Sequence, residues 1–108
     1  ERDVIFRVVE NMPEFPGGTV ELMKYLSSNV KYPIIAQENG IQGRVIVQFT
    51  VRRDGTIDDV EVVRSADPNL DKEAIRVIKS MPNWKPGEQR GKKVNCKFTV
   101  PVVFKLQT

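Results

Sequence analysis

Histidine is absent from this 108-residue chain, and cysteine occurs once, at Cys96. The first absence removes the commonest general base and the commonest metal ligand together. A lone cysteine closes no intramolecular disulfide, so the redox compartment is left open. With no histidine to activate it, Cys96 reads as a buried core thiol and not as a nucleophile. No uninterrupted run of apolar side chains exceeds four residues, which excludes a helix spanning a bilayer within this sequence. Phosphate-binding glycine motifs and Cys/His metal spacings are missing too. No catalytic, metal or cofactor site is therefore expected. The chain has neither an initiator methionine nor a signal-peptide pattern. It is expected to be a piece of a longer protein whose targeting or membrane segment lies upstream.

What is present belongs to an ordinary globular domain. Hydrophobic residues make up 40% and charged residues 29%, and the length suits one core. Seventeen Lys and Arg against 14 Asp and Glu give a formal charge of +3. That favours anionic surfaces weakly and falls short of the basic stripe of a nucleic-acid binder, so no nucleic-acid partner is expected. Arg52, Arg53, Lys85, Arg90, Lys92, Lys93 and Lys97 gather near two loops and the start of the last strand. They read as a solvated face, or as a weak attraction for an anionic partner such as the cell-wall polymer. Asp54, Asp58, Asp59 and Glu61 are the only candidate acid/base group. Asp54 suits a turn, and alternate strand residues point to opposite faces, so a solvated edge strand explains the cluster better than a catalytic pair.

Along the chain, Val4 to Val9 reads as a short β-segment, followed by a connector rich in proline and glycine through Gly18. Residues 1–17 are taken as this lead-in and 18–108 as the domain proper. Thr19 is expected to cap a helix reaching Ser28 with Leu22, Tyr25 and Leu26 as its stripe. Tyr32-Pro33 starts a helical turn that stops at Asn39-Gly40. Val45, Val47, Phe49 and Val51 alternate with Arg44, Ile46, Gln48, Thr50 and Arg52 as in a half-buried strand, and Asp54-Gly55 predicts a two-residue hairpin. The returning strand, Ile57 to Arg64, points Val60 and Val62 one way and Ile57 and Val63 the other, which calls for a bulge or a partly covered second face. A helix opened near Asp67-Pro68 runs to Ser80 with Leu70, Ala74, Val77, Ile78 and Met81 as its buried stripe. A loop anchored by Trp84 leads to a last strand, Val94 to Leu106, with seven alternating pairs. The predicted architecture is α+β. It is a three-stranded antiparallel/mixed sheet ordered 57–64, 44–52, 94–106, four-stranded if the N-terminal tract joins, with two helices on one face.

Pro101 falls in the middle of the best strand. A central strand would lose a ladder bond there, so this strand is expected at an edge with the proline nitrogen outward. By parity the backbones of Asn95, Lys97, Thr99, Val103 and Lys105 then face the same free edge. Such an edge is either a template for adding a strand from another chain or one that Pro101 and the lysines guard against aggregation.

Tyr32-Pro33, Ala36, Gly40, Gln42-Gly43, Asp54-Gly55, Val60 to Ser65, Leu70, Ala74-Ile75, Trp84 and Pro86-Gly87 occur in an order that resembles the TonB C-terminal domain. The lead-in Met12 to Gly18, with Met81-Pro82 and Lys85-Pro86-Gly87, resembles the Bacteroidetes branch of that family. The resemblance implies a periplasmic energy-transducer domain on an inner-membrane-anchored protein, coupled through an upstream helix to the ExbB–ExbD motor. It implies capture of the Ton box of TonB-dependent outer-membrane receptors as a strand added to the last strand, with contacts from Val30, Lys31 and Tyr32. The Val4–Val9 tract is expected to pair with a sheet edge, and on that same edge it would compete with the peptide. Two other readings accompany this one: a non-transporting sensor or scaffold domain of an envelope receptor, and a self-associating module that forms a homodimer.

Overall fold

The computed structural model describes residues 4–107. Its elements are β1 (Ile5–Phe6), α1 (Thr19–Asn29), α2 (Ile34–Glu38), β2 (Gly43–Val51), β3 (Ile57–Arg64), α3 (Pro68–Lys79), β4 (Gly87–Gln89) and β5 (Lys92–Phe104). The sheet runs β1-β5-β2-β3, with β4 pairing β5 as well. The predicted order of the three long strands holds, and β2 lies antiparallel to both its neighbours. Among the described residues no helix is long and apolar enough to cross a membrane.

One core joins the layers. Val45, Val47, Phe49 and Val51 of β2 meet Val100, Val102 and Phe104 of β5, and over them pack Leu22 and Leu26 of α1 and Leu70, Ala74, Val77 and Ile78 of α3. Each of these Val, Leu, Ile and Phe side chains stabilises the fold by about 1.5–3 kcal/mol, and Ala74 by less. Val60 and Val62 pack against this core from β3 as their parity requires. The bulge predicted for β3 is present, and there are two shifts in register. One lies between Ile46 and Val47 and the other between Gln48 and Thr50 of the partner strand. Asp59, at φ 52, marks the second. Bulges roughen β3, the sheet's outer edge on that side, against further pairing.

α3 begins as its sequence dictates. Asp67 accepts from the N–H groups of Asn69 (2.9 Å) and Leu70 (3.3 Å), and Pro68 occupies the first turn, where its missing N–H costs nothing. α1 differs from expectation: Gly18, not Thr19, is its N-cap, and no side chain caps it. The chain turns there through backbone bonds alone, Gly18 N–H donating to Phe15 O at 2.7 Å and Leu22 N–H to Gly18 O at 3.1 Å. The β2–β3 connection differs as well. Gly55 N–H donates to Arg52 O and Arg52 N–H to Thr56 O, both at 2.8 Å, so Arg53, Asp54 and Gly55 form a three-residue loop. Asp54 braces it by accepting from Thr56 N–H and Oγ1.

The lead-in tract meets the rest of the structure at several points. Phe15 is a core residue, edge-on to Trp84 at 5.8 Å. Bridges Asn11↔Glu88 and Glu14↔Lys85 fasten the intervening connector, and β1 lies parallel to β5 at Ile5↔Asn95 and Phe6↔Cys96.

Candidate functional site

β5 is the strand on which the site depends. One of its sides is zipped to β2 through nine unbroken pairs, from Gly43↔Phe104 to Val51↔Cys96, with Pro101 opposite Ile46 and no irregularity there. An unbroken ladder through a residue that lacks an N–H requires that residue's nitrogen to face away from β2. On the other side β1 covers Asn95 and Cys96, while β4 pairs Lys92 to Val94, which lie before the first residue that β2 pairs. From Lys97 to Phe104 no strand lies beyond it among the described residues. The outcome is a half-open edge: closed at its N-terminal end, free over its C-terminal eight residues.

Lys97, Thr99, Pro101 and Val103 fall on this free stretch, Lys97 half-buried and the other three exposed. Lys105 lies just past the strand's end, where Leu106 N–H is held by Gln42 Oε1 at 2.6 Å. Asn95 is a correction. Instead of offering a free edge position it is 4% exposed and paired with β1. Its Oδ1 accepts from Arg53 N–H at 2.9 Å and its Nδ2 donates to Val4 O at 3.3 Å. A polar side chain withdrawn from water here keeps its hydrogen bonds, and in doing so ties β1 and the β2–β3 loop to β5.

Val30, Lys31 and Tyr32 take different positions. Val30 comes within reach of the free edge, lining a groove with Pro101, Val102 and Val103. Tyr32 uses its side chain internally, donating its hydroxyl to Ile41 O and standing edge-on to Phe104 at 5.6 Å. Lys31 is exposed, but its backbone N–H donates to Glu73 Oε2 at 2.6 Å. Glu73 also accepts from Arg76 at 2.7 Å, and Arg76 Nη2 donates to Asn29 O at 2.9 Å. This clamp fixes the segment after α1 onto α3.

Burial of Glu73 pushes its carboxyl pKa up, but the Arg76 and Lys31 bonds outweigh it and hold the group below the ordinary 4.5. A depressed carboxylate pKa contributes stability above the unfolded value, lost as pH falls through the folded one. Glu73→Gln is therefore expected to lower stability by about 1–2 kcal/mol at pH 7. That deficit should shrink progressively below pH 4.5. Urea melts at several pH values check it; a deficit independent of pH would refute the clamp's electrostatic part.

The remaining candidates sit in ordinary structural settings. Asp58 and Asp59 share Arg52 at 2.9 and 3.2 Å on an exposed strand. Hydrogen bonds from Arg52 and from Asp59's backbone hold the Asp58 carboxyl below its ordinary range. Cys96 is fully buried, and burial pushes its thiol pKa up. Among the described residues no three His, Cys, Asp or Glu side chains are grouped to hold a metal. Of the seven basic residues, Arg53, Arg90, Lys92 and Lys93 come together around a cavity of about 740 Å³ beside β1.

Sequence reasoning missed the wall beside the free edge. Val20 and Met23 of α1 stand exposed there. The signal was available in the spacing of Val20, Met23, Ser27 and Val30, a second helical stripe offset from Leu22 and Leu26.

Comparison with known proteins bears on this geometry. The model of the family described as Gram-negative bacterial TonB protein C-terminal matches residues 28–106. The chain is 34% identical over 97 residues to Protein TonB of Helicobacter pylori and 36% identical over 76 residues to Protein TonB of Pseudomonas aeruginosa. These matches take in 85% and 70% of this chain but 33% and 22% of the relatives, so the chain spans a third or less of their length. Among solved structures, a solution structure of the H. pylori TonB C-terminal domain superposes with a TM-score of 0.64 at 30% identity, covering 86% of this chain and 88% of that one. The P. aeruginosa counterpart gives 0.56 at 34% identity, over 72% and 79%.

Proposed function

The chain belongs to the TonB C-terminal family, and from that premise we propose that it is the periplasmic domain of a TonB-type energy transducer, which takes the Ton box of an outer-membrane receptor as a strand added to β5. The observation that carries this reading is the free stretch Lys97–Phe104, flanked by β2 on one side only and with Pro101 in its middle. Backbone bonds to such an edge supply affinity without demanding one sequence, while alternate side chains supply selectivity. The work done is mechanical, and no bond-making chemistry is asked of the domain. An upstream membrane helix engaging the ExbB–ExbD motor completes the proposal. The basic cavity of Arg53, Arg90, Lys92 and Lys93 is the surface for weak contact with an anionic cell-wall polymer.

Titration of isotope-labelled protein with Ton-box peptides from the same organism's receptors tests the docking edge. Backbone shifts are expected to centre on residues 97–104. Val103→Pro removes one outward N–H and is expected to weaken binding by about tenfold, from one lost bond and the steric demand of its ring. Shifts centred elsewhere, or unchanged affinity in the variant, would overturn the reading.

A further inference from the structure

α1 carries two apolar stripes, and the core uses one. Leu22 and Leu26 are buried, whereas Val20 and Met23 on the adjacent face are 65% and 43% exposed. Val20, Met23, Ser27 and Val30 follow helical spacing and form one wall of a groove of about 440 Å³; Pro101, Val102 and Val103 form the other. Exposed apolar residues scattered singly need no explanation, but a stripe aligned with a free strand edge does.

A strand hydrogen-bonded to β5 would lie about 4.8 Å beyond it and turn every second side chain toward α1. From Val20 to Val30 the wall is about 15 Å long, and alternate strand side chains are spaced about 6.6 Å, so two or three fit. We infer that the α1 groove is the selectivity pocket for the docked strand, accepting a partner segment with apolar side chains at alternate positions. This rests on the reading of β5 as the docking edge. Both walls are continuous with that edge, which is why the occupant is an extended strand and not a helix.

The test uses two synthetic peptides of equal length, charge and shape, Asp-Ser-Val-Ser-Val-Ser-Val-Ser-Asp and Asp-Ser-Thr-Ser-Thr-Ser-Thr-Ser-Asp. Valine and threonine are near-isosteric with similar strand preference, so the pair isolates burial. The valine peptide is expected to bind at least about tenfold tighter, from the apolar area removed from water. Met23→Asp, or independently Val20→Asp, should erase that preference, any weakening by the new carboxylate being shared by both peptides; both sites are exposed, and thermal melts verify folding. Val103→Pro should weaken both peptides. If Val103→Pro weakens both and neither α1 variant matters, the groove inference falls and the edge reading stands. If none of the three variants matters, both fall. If the α1 variants act but Val103→Pro does not, the occupant is no added strand and the inference is overturned. A concentration-dependent dimer in sedimentation, abolished by Met23→Asp, would assign the groove to a second copy and overturn it too.

Discussion

Trp84→Ala is expected to destabilise the domain by about 3–5 kcal/mol, the range for truncating a buried aromatic. Domains of this size are stable by about 5–15 kcal/mol in all, so the variant should be partly unfolded at modest urea concentrations. The indole is 3% exposed and stands edge-on to Phe98 at 5.0 Å, Phe49 at 5.3 Å and Phe15 at 5.8 Å. It therefore joins β2, β5 and the lead-in tract through one side chain, and its removal leaves a void that three separate elements border. Trp84→Phe should lose much less. It keeps a ring in the site and deletes an indole N–H that has no acceptor among the described residues. Equilibrium urea denaturation measures both; a loss under about 1 kcal/mol for the alanine variant would refute the assignment of this residue as the joint.

Gly55→Ala is expected to cost about 2–4 kcal/mol, from two causes that separate experimentally. Gly55 sits at φ +89, a conformation that costs any residue with a Cβ about 1–2 kcal/mol. The added Cβ would also lie 2.4 Å from the carbonyl oxygen of Trp84, a backbone atom that cannot swing aside. Trp84 N–H donates to Gly55 O at 2.8 Å, so the two backbones are held together and cannot part cheaply. Gly91→Ala is the control: φ is +75 there, but nothing lies within 4 Å of the added atom. It should show the conformational cost alone. Equal losses for the two variants, in parallel thermal or urea melts, would mean that the close approach contributes nothing.

The long elements were legible because each obeys one period over its whole length. Val94 to Leu106 alternates without a slip, and Asp67-Pro68 supplies both the cap and the first turn of α3. Pro101 located the edge because a proline has one permitted direction in a ladder. What could not be read was non-local or too short to show a period. β4 is three residues, Gly-Glu-Gln, turning into β5 through Arg90 and Gly91 at φ 52 and 75. Neither its composition nor its length announces a strand. Asn95 was misplaced for a related reason. Parity puts it on the free side of β5, and only the arrival of a segment about ninety positions away in sequence closes that side over it. Val20 and Met23 were overlooked because Leu22 and Leu26 already satisfied the helix's need for a buried face.

The short parallel contact of β1 with β5 has a mechanical consequence. A strand seated on Lys97–Phe104 would share any load among several hydrogen bonds strained side by side. β1 holds its neighbour over two residues, braced by Asn95. It is also the first described element of the chain, so tension arriving from the N-terminal side reaches it before anything else in the sheet. In the proposed transducer a two-pair fastening would thus lie nearest the pull, as a fuse does in a circuit. If it yielded, Asn95 and Cys96 would lose their cover, and the rail on which a partner strand can lie would lengthen at the moment it is loaded.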